Sequence, residues 1–484
     1  MNPTTVHTSF AELRDRLLPD AATGSGGPLD VLDPATGEVL TSLAAATAAD
    51  AGAAVDTAAG ALRSWAATPS RQRADILHRA YALMTERGGE LATLISLENG
   101  KSRPDALAEV AYAADFLRWS AEEAVRSDGD FTPAPAGGTR AIVTHRPIGV
   151  AALVTPWNFP AAMITRKVGP ALAAGCTAVL KPASETPLTA LALARVLRDA
   201  GLPPAALVVT PTLDAGAVVG AWLADDRVRK LSFTGSTAVG RRLLAQAADR
   251  IVNTSMELGG NAPFVVAPDA DLPAAVAGAM IAKFRNGGQA CTAANRFYLH
   301  VDVLEEFVRR FGAATAALTV GPAADPATQI GPLINERAVT EVDRLVRDAL
   351  ARGARISHRA EAPRTGCFYP PTVLRDVPAD AQVVTTEIFG PVAPVVAWRD
   401  EDELLAMLNG TEFGLAGYVY SGDLRWALRL AESTEAGMVG INRGVVSDAA
   451  FPFGGMKQSG LGREGGREGL RAYQETQYLS VQWD

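Results

Sequence analysis

The chain reads as an α/β protein: a doubly wound parallel sheet, then a second α/β unit, with a small β arm beside them. Three observations predict this. From about residue 146, short β-rich runs alternate with longer amphipathic ones, at the spacing of right-handed βαβ units. The alternation restarts after Gly259–Gly260. The length, 484 residues, exceeds what one hydrophobic core usually fills.

Taken in order, residues 47–128 are Ala-rich, with apolar residues at helical spacing and few breakers between Pro69 and Pro104. That predicts three or four helices packed on the sheet. Residues 127–138 are rich in Gly, Pro, Asp and Thr, a turn composition suited to a boundary or projecting arm. The sheet proper follows as strands over 148–154, 176–181, 206–209 and 229–233. Helices over 161–175, 188–200, 214–223 and 236–247 alternate with them. In the second unit a strand is predicted at 264–267, a helix at 272–286, and further strands at 296–301 and 392–398. The Gly-dense run 453–461 and a strand over 473–481 close the chain. That last strand is able to pair outside its own domain, as in a symmetric oligomer.

Hydrophobic residues make up 48% and charged residues 20%, the balance of a chain that folds rather than stays disordered. A net charge of −8 without a long Lys/Arg cluster argues against a nucleic-acid partner. The N-terminus lacks a basic region followed by an apolar core, and no apolar run of about 18 residues occurs, so no membrane partner and a cytoplasmic location are expected. Three scattered cysteines and five histidines, none in metal-ligand spacing, exclude a disulfide framework and point to no metal. A cysteine remains available for chemistry.

The strongest local feature is Asn286-Gly287-Gly288-Gln289-Ala290-Cys291, where two glycines turn the chain just before a thiol. Such a thiol is a nucleophile if its surroundings lower its pKa, yet taken alone a buried inert cysteine is the better reading. Met256-Glu257-Leu258-Gly259-Gly260-Asn261 puts a carboxylate at the end of an apolar run, before a hinge. There it can face a cleft as a general base, although an isolated Glu at a strand end is more often solvated. Together the two features carry more than either does.

They belong to a wider set: Thr155-Pro156-Trp157-Asn158-Phe159-Pro160, Leu180-Lys181-Pro182-Ala183, Phe233-Thr234-Gly235-Ser236, Glu387-Ile388-Phe389-Gly390-Pro391 and Pro452-Phe453-Gly454-Gly455. In order and spacing the set resembles the aldehyde dehydrogenase superfamily over essentially the whole chain. The resemblance implies a Rossmann-like NAD(P)-binding domain over 1–126 and 146–257 and a catalytic domain over 258–440. It implies an oligomerisation arm over 127–145 and 468–484, with 441–467 as a substrate-tunnel loop returning to the cofactor domain. A homodimer or homotetramer is expected. Cys291 becomes the nucleophile and Glu257 the base that activates water. The Asn158 amide becomes an oxyanion donor together with the Cys291 backbone N–H, and Lys167 a residue that tunes these charges.

No GxGxxG fingerprint follows a strand. By resemblance the cofactor instead meets Thr155, Pro156, Trp157 and Asn158, then Lys181, Pro182, Ala183 and Ser184, then Leu258. Gly235-Ser236 opens a helix whose N-terminus suits a pyrophosphate. Lys181 is expected at the adenosine ribose, Glu387 at the nicotinamide ribose, and Phe389 near the ring. Family members that favour NAD often carry Glu where this chain has Ser184. Serine removes a charge that would repel a 2′-phosphate, so NADP is favoured over NAD, with Glu185 next door partly restoring the repulsion.

Arg166, Arg285 and Ser447 occupy positions that line the family's substrate tunnel, and guanidinium groups match carboxylates. The trio resembles the succinate-semialdehyde dehydrogenase subgroup, with the semialdehyde of another dicarboxylate, such as glutarate, or another small aldehyde as alternatives. Two departures stand out. Ala293 replaces the second cysteine that some members use as a redox switch, and Arg443 replaces a small or acidic residue, adding positive charge near the tunnel mouth. A cysteine hydrolase would need a histidine beside the thiol, and His300 is poorly placed for that.

Overall fold

The computed structural model describes residues 10–18 and 24–483. The N-terminal stretch read above for a targeting signal lies largely outside them. Four helices, Ala48–Ala67, Ser70–Glu86, Gly88–Asn99 and Arg103–Ala124, fill the Ala-rich region. The first starts at a capping box of Thr47 and Asp50, which satisfies N–H groups left open at a helix start. The last starts at Ser102 with Pro104 in its first turn, where a missing N–H costs nothing.

The first open sheet has six strands in the order Gly460–Leu461, Asn253–Glu257, Val228–Thr234, Val150–Val154, Thr177–Lys181, Leu207–Val209. All pairings are parallel except that of the short edge strand Gly460–Leu461. Its central strands are buried along their full length, as expected of parallel strands covered on both faces. The chain winds outward from Val150–Val154 in one direction and then from Val228–Thr234 in the other. The crevice beyond these two carboxyl ends is therefore the topological switch point where open α/β sheets bind ligands, flanked by residues 155–158 and 234–236.

The second sheet has seven strands: Arg355–Arg359, Thr372–Arg375, Val392–Trp398, Ala294–His300, Ala262–Val266, Ala416–Tyr420 and Met438–Ile441, in that order across it. Gln474–Gln482, Thr139–Pro147 and Asp130–Pro133 form a third, antiparallel sheet with mostly exposed outer strands. Among the described residues no helix is long and apolar enough to cross a membrane, and no His/Cys/Asp/Glu group could hold a metal.

One helix differs from its prediction. It runs Leu272–Phe284 and stops before Arg285, so Arg285 lies past the helix end rather than on it. Asn286, Gly287 and Gly288 all take left-handed backbone angles, with φ of 54°, 61° and 76°, which no α-helix tolerates.

Candidate active site

Cys291 sits between this left-handed turn and the Ala294–His300 strand, half-buried. The turn packs tightly against two other segments. A side chain at Gly288 would meet the Gly390 carbonyl at 2.3 Å, and one at Gly260 would meet the Cys291 carbonyl at 2.5 Å. Glycine is thus required where the Glu257–Asn261 hinge and the Glu387–Pro391 loop press on the cysteine segment. Tyr418 fixes the far side by donating to the Thr292 carbonyl at 2.8 Å.

Burial pushes the Cys291 thiol up to about 12, with Arg166 pulling the other way. The resting thiol is therefore protonated near neutrality, against the expectation of a lowered pKa. Desolvation outweighs the guanidinium charge.

The Asn158 side-chain amide donates to the Gln289 carbonyl at 3.0 Å, two residues before Cys291. One of its two N–H groups is thereby spent on orientation, and the second remains a donor.

Glu257 ends the Asn253–Glu257 strand, 2% exposed. Neither of its oxygens has a hydrogen-bond partner among the described residues. Burial raises its pKa well above the usual carboxylate range, nearby Glu464 adds to this, and Arg166 and Lys167 oppose it. A buried carboxyl left unpaired is costly and marks a group kept for chemistry.

Lys167 is fully buried rather than solvated. It pairs with Glu464 and donates to Ser232 at 2.9 Å. Burial lowers its pKa and Glu464 opposes that. Glu464 itself is held below the carboxylate range, because Lys167 and Arg166 outweigh its desolvation.

Arg166 is also buried. It forms an ion pair with Glu464 at 2.8 Å and lies 3.9 Å over the Phe453 ring. Its Nη1 has no hydrogen-bond partner among the described residues. Tyr112, on the Arg103–Ala124 helix, neighbours Arg166, Arg285 and Ser447, so the three predicted substrate residues converge on one place. Arg285 is half-buried, lies 5.3 Å over the Phe159 ring and forms no ion pair among the described residues. Cys291 feels both arginines.

At the switch-point crevice, the Thr155 and Thr234 hydroxyls are buried without partners, and Ser236 caps the exposed N-terminus of the Thr237–Ala248 helix. Lys181 ends its strand, its pKa lowered by burial to about 8, and donates to the Pro182 carbonyl at 2.7 Å. Pro182 and Ala183 are buried beside it, and Ser184 donates to Glu185 at 3.1 Å. Leu258 is buried and donates its N–H to the Ser459 carbonyl. Glu387 accepts from the Gly260 N–H at 3.1 Å, and burial lifts it to about 7. Phe389 has φ of 51° and meets Trp157 edge-on at 5.5 Å, with Pro156 half-buried alongside. Strain of this kind at a non-glycine residue is typical of ligand sites.

Sequence reading missed Glu464, although it lies within a Gly-rich run that stands out, and it missed Tyr112, which no local signal marks. Arg443, noted above as a departure, is exposed; burial raises the Tyr420 phenol to about 12, and Arg443 opposes that.

The aldehyde dehydrogenase family profile matches residues 22–479. A succinate-semialdehyde dehydrogenase of Paenarthrobacter nicotinovorans is 52% identical over 92% of this chain and 99% of its own. A glutarate-semialdehyde dehydrogenase of Pseudomonas aeruginosa is 49% identical over 94% of this chain and 95% of its own. The crystal structure of an E. coli NADP dependent enzyme, 48% identical, superposes with a TM-score of 0.93 over 94% of this chain and 95% of that one.

Proposed function

The chain belongs to the aldehyde dehydrogenase family, and on that premise we propose that it oxidises succinate semialdehyde to succinate with NADP as hydride acceptor. The observation that carries the substrate is the convergence of Arg166, Arg285, Ser447 and Tyr112 near Cys291. Arg166 keeps an unpaired buried donor there. Two guanidinium groups and a hydroxyl suit a carboxylate at the far end of a short aldehyde. The Paenarthrobacter relative supports the same substrate.

The crevice fits a dinucleotide: orphaned Thr155 and Thr234 hydroxyls, an exposed helix N-terminus at Ser236, and Glu387 beyond. Ser184 in place of an acidic residue leaves room for a 2′-phosphate, in line with the NADP dependent E. coli enzyme. When bound, the nicotinamide supplies the acceptor for hydride.

The chain's own groups do the rest. Cys291 gives its proton to solvent water, and its sulfur bonds to the aldehyde carbon, moving the C=O π pair onto oxygen. The Asn158 amide and the Cys291 N–H hold that oxyanion. Once hydride has left, C=O re-forms as a thioester. Glu257 takes a proton from water, whose oxygen attacks the thioester carbon. The C–S bond breaks, releasing succinate and restoring the thiol. Lys167 and Arg166 hold Glu464 ionised beside Glu257, and that charge keeps the Glu257 carboxyl basic.

The domain division is proposed as above: 1–126 and 146–257 for cofactor, 258–440 for the nucleophile, 127–145 and 468–484 as the arm, 441–467 as tunnel loop. The arm sheet exposes Phe131, Tyr478, Leu479 and Trp483, apolar surface suited to a homodimer or homotetramer contact. A reactive thiol without a disulfide partner suits the reducing cytoplasm.

Steady-state reduction of NADP and of NAD tests the reading, comparing succinate semialdehyde with butanal. A kcat/KM preference of about tenfold or more for the acidic substrate is expected of a charge-assisted contact, with NADP the better acceptor. Equal or better use of butanal would leave the dehydrogenase chemistry standing and remove the arginine reading. Glutarate semialdehyde is the second reading, favoured by the Pseudomonas relative. One methylene separates the two by only about 1–3 kcal/mol.

A further inference from the structure

Three charged side chains around the start of the Arg103–Ala124 helix lie between the two segments that carry Asn158 and Cys291. The Lys101 ammonium is wholly buried; it pairs with Glu109 and donates to the Asn158 main-chain carbonyl at 2.9 Å. The other Glu109 oxygen accepts the N–H groups of Ala161 at 2.8 Å and Ala162 at 3.2 Å. It thereby fixes the start of the Ala162–Ala174 helix that leaves the Asn158 turn. Asp105 accepts the Asn286 N–H at 2.8 Å, holding the first left-handed residue of the turn before Cys291.

Asn286 closes the circuit. Its side-chain amide donates to the Asn158 carbonyl at 2.8 Å and to the Gln289 carbonyl at 3.1 Å, and the Gln289 carbonyl also receives the Asn158 amide. The Phe159 ring is in contact with both Lys101, at 4.2 Å, and Arg285, at 5.3 Å. Buried ion pairs are seldom retained for stability, since apolar packing often serves as well or better. Geometry is the return here, because reacting groups displaced by about 1 Å lose on the order of a hundredfold in rate.

We propose that Lys101, Asp105 and Glu109 form a positioning unit. It holds the Asn158 amide and the Cys291 turn in one fixed frame and, through Phe159, ties Arg285 to that frame. This rests on the reading of Asn158 as oxyanion donor.

Single-turnover NADPH formation, with the NADP-loaded enzyme in excess over succinate semialdehyde, is the test, because its rate constant does not depend on what fraction of molecules is folded. Asp105→Ala is expected to lower that constant about tenfold or more with NADP affinity unchanged. Asp105→Asn, which keeps an acceptor for the Asn286 N–H, is expected to return to within about threefold. The Lys101→Met/Glu109→Gln double variant removes both charges together and carries the same tenfold expectation; it stands in should Asp105→Ala not fold. A rate constant within about twofold of the parent in these variants, beside a slowed Asn158→Ala, overturns the positioning unit. If Asn158→Ala is itself unchanged, the oxyanion reading beneath it falls instead.

Discussion

In both open sheets two neighbouring parallel strands send their connections to opposite sides, Val150–Val154 with Val228–Thr234 in the first and Ala262–Val266 with Ala416–Tyr420 in the second, yet the crevices beyond their carboxyl ends differ. In the first, the Thr155 and Thr234 hydroxyls are buried without partners, and an exposed helix begins at Ser236. In the second, beyond Ala262–Val266 and Ala416–Tyr420, a pocket of about 420 Å³ is lined by the chain's own carboxylates and tryptophans, Asp269, Asp423, Trp398 and Trp426 among them. Asp269 accepts from the Ser421 hydroxyl at 2.9 Å and the Asp423 N–H at 2.8 Å, and Asp423 caps the Leu424–Ser433 helix. Trp398 and Trp426 lie parallel at 6.2 Å beside them. Carboxylates already sit where an anionic ligand would meet the helix N-termini. The proposed nucleophile lies at the second sheet's other end, where Cys291 precedes the Ala294–His300 strand. Winding thus offers a site at each sheet, and loop chemistry decides which is used.

The sharpest way to break this division is at the residues the two sheets bring together. Glu257→Gln is expected to cut steady-state turnover by about 10²- to 10⁴-fold while leaving single-turnover NADPH formation close to the parent, because the first sheet's carboxylate serves only the second half-reaction. Loss of both phases alike would put Glu257 in the wrong step. Next in size is Arg285→Gln. The preference for succinate semialdehyde over butanal is expected to fall about tenfold or more, and an unchanged ratio would detach the arginine from the substrate.

The thiol offers a pH test. A thiol pushed up to about 12 by burial is protonated across the neutral range, so thiolate grows about tenfold per pH unit. Iodoacetamide labelling of Cys291 without cofactor is expected to accelerate through pH 9 with no plateau; a plateau near pH 8 would mean that the arginines, rather than desolvation, set the pKa. The smallest effect belongs to the second sheet's crevice. Asp269→Ala is expected to cost about 1 kcal/mol of stability through its lost hydrogen bonds, read as a lower Tm, with kcat unchanged.

What was legible in the sequence follows from how local each signal is. Cys291, Glu257 and Asn158 sit in short motifs whose glycines and prolines enforce their own turns, and the βαβ alternation is a period any window reveals. Glu464 lies in a visible run, but its partners Arg166, Lys167 and Ser232 are hundreds of residues upstream. Lys101, Asp105 and Tyr112 belong to an Ala-rich helical stretch with no motif at all. The helix end before Arg285 was misjudged because Asp105, far away in sequence, captures the Asn286 N–H. The strands Ala416–Tyr420 and Met438–Ile441 are short and contain glycine, which weakens any pattern.

In the proposed reaction a nucleophile from one sheet's segment and a base from the other divide a single oxidation between them. Mass spectrometry of the Glu257→Gln variant, quenched in acid after mixing with NADP and succinate semialdehyde, tests it most directly. A succinyl group accumulating on the Cys291 peptide is the expected result. No adduct while NADPH is still formed, or an adduct on Cys176 or Cys367 instead, would contradict it.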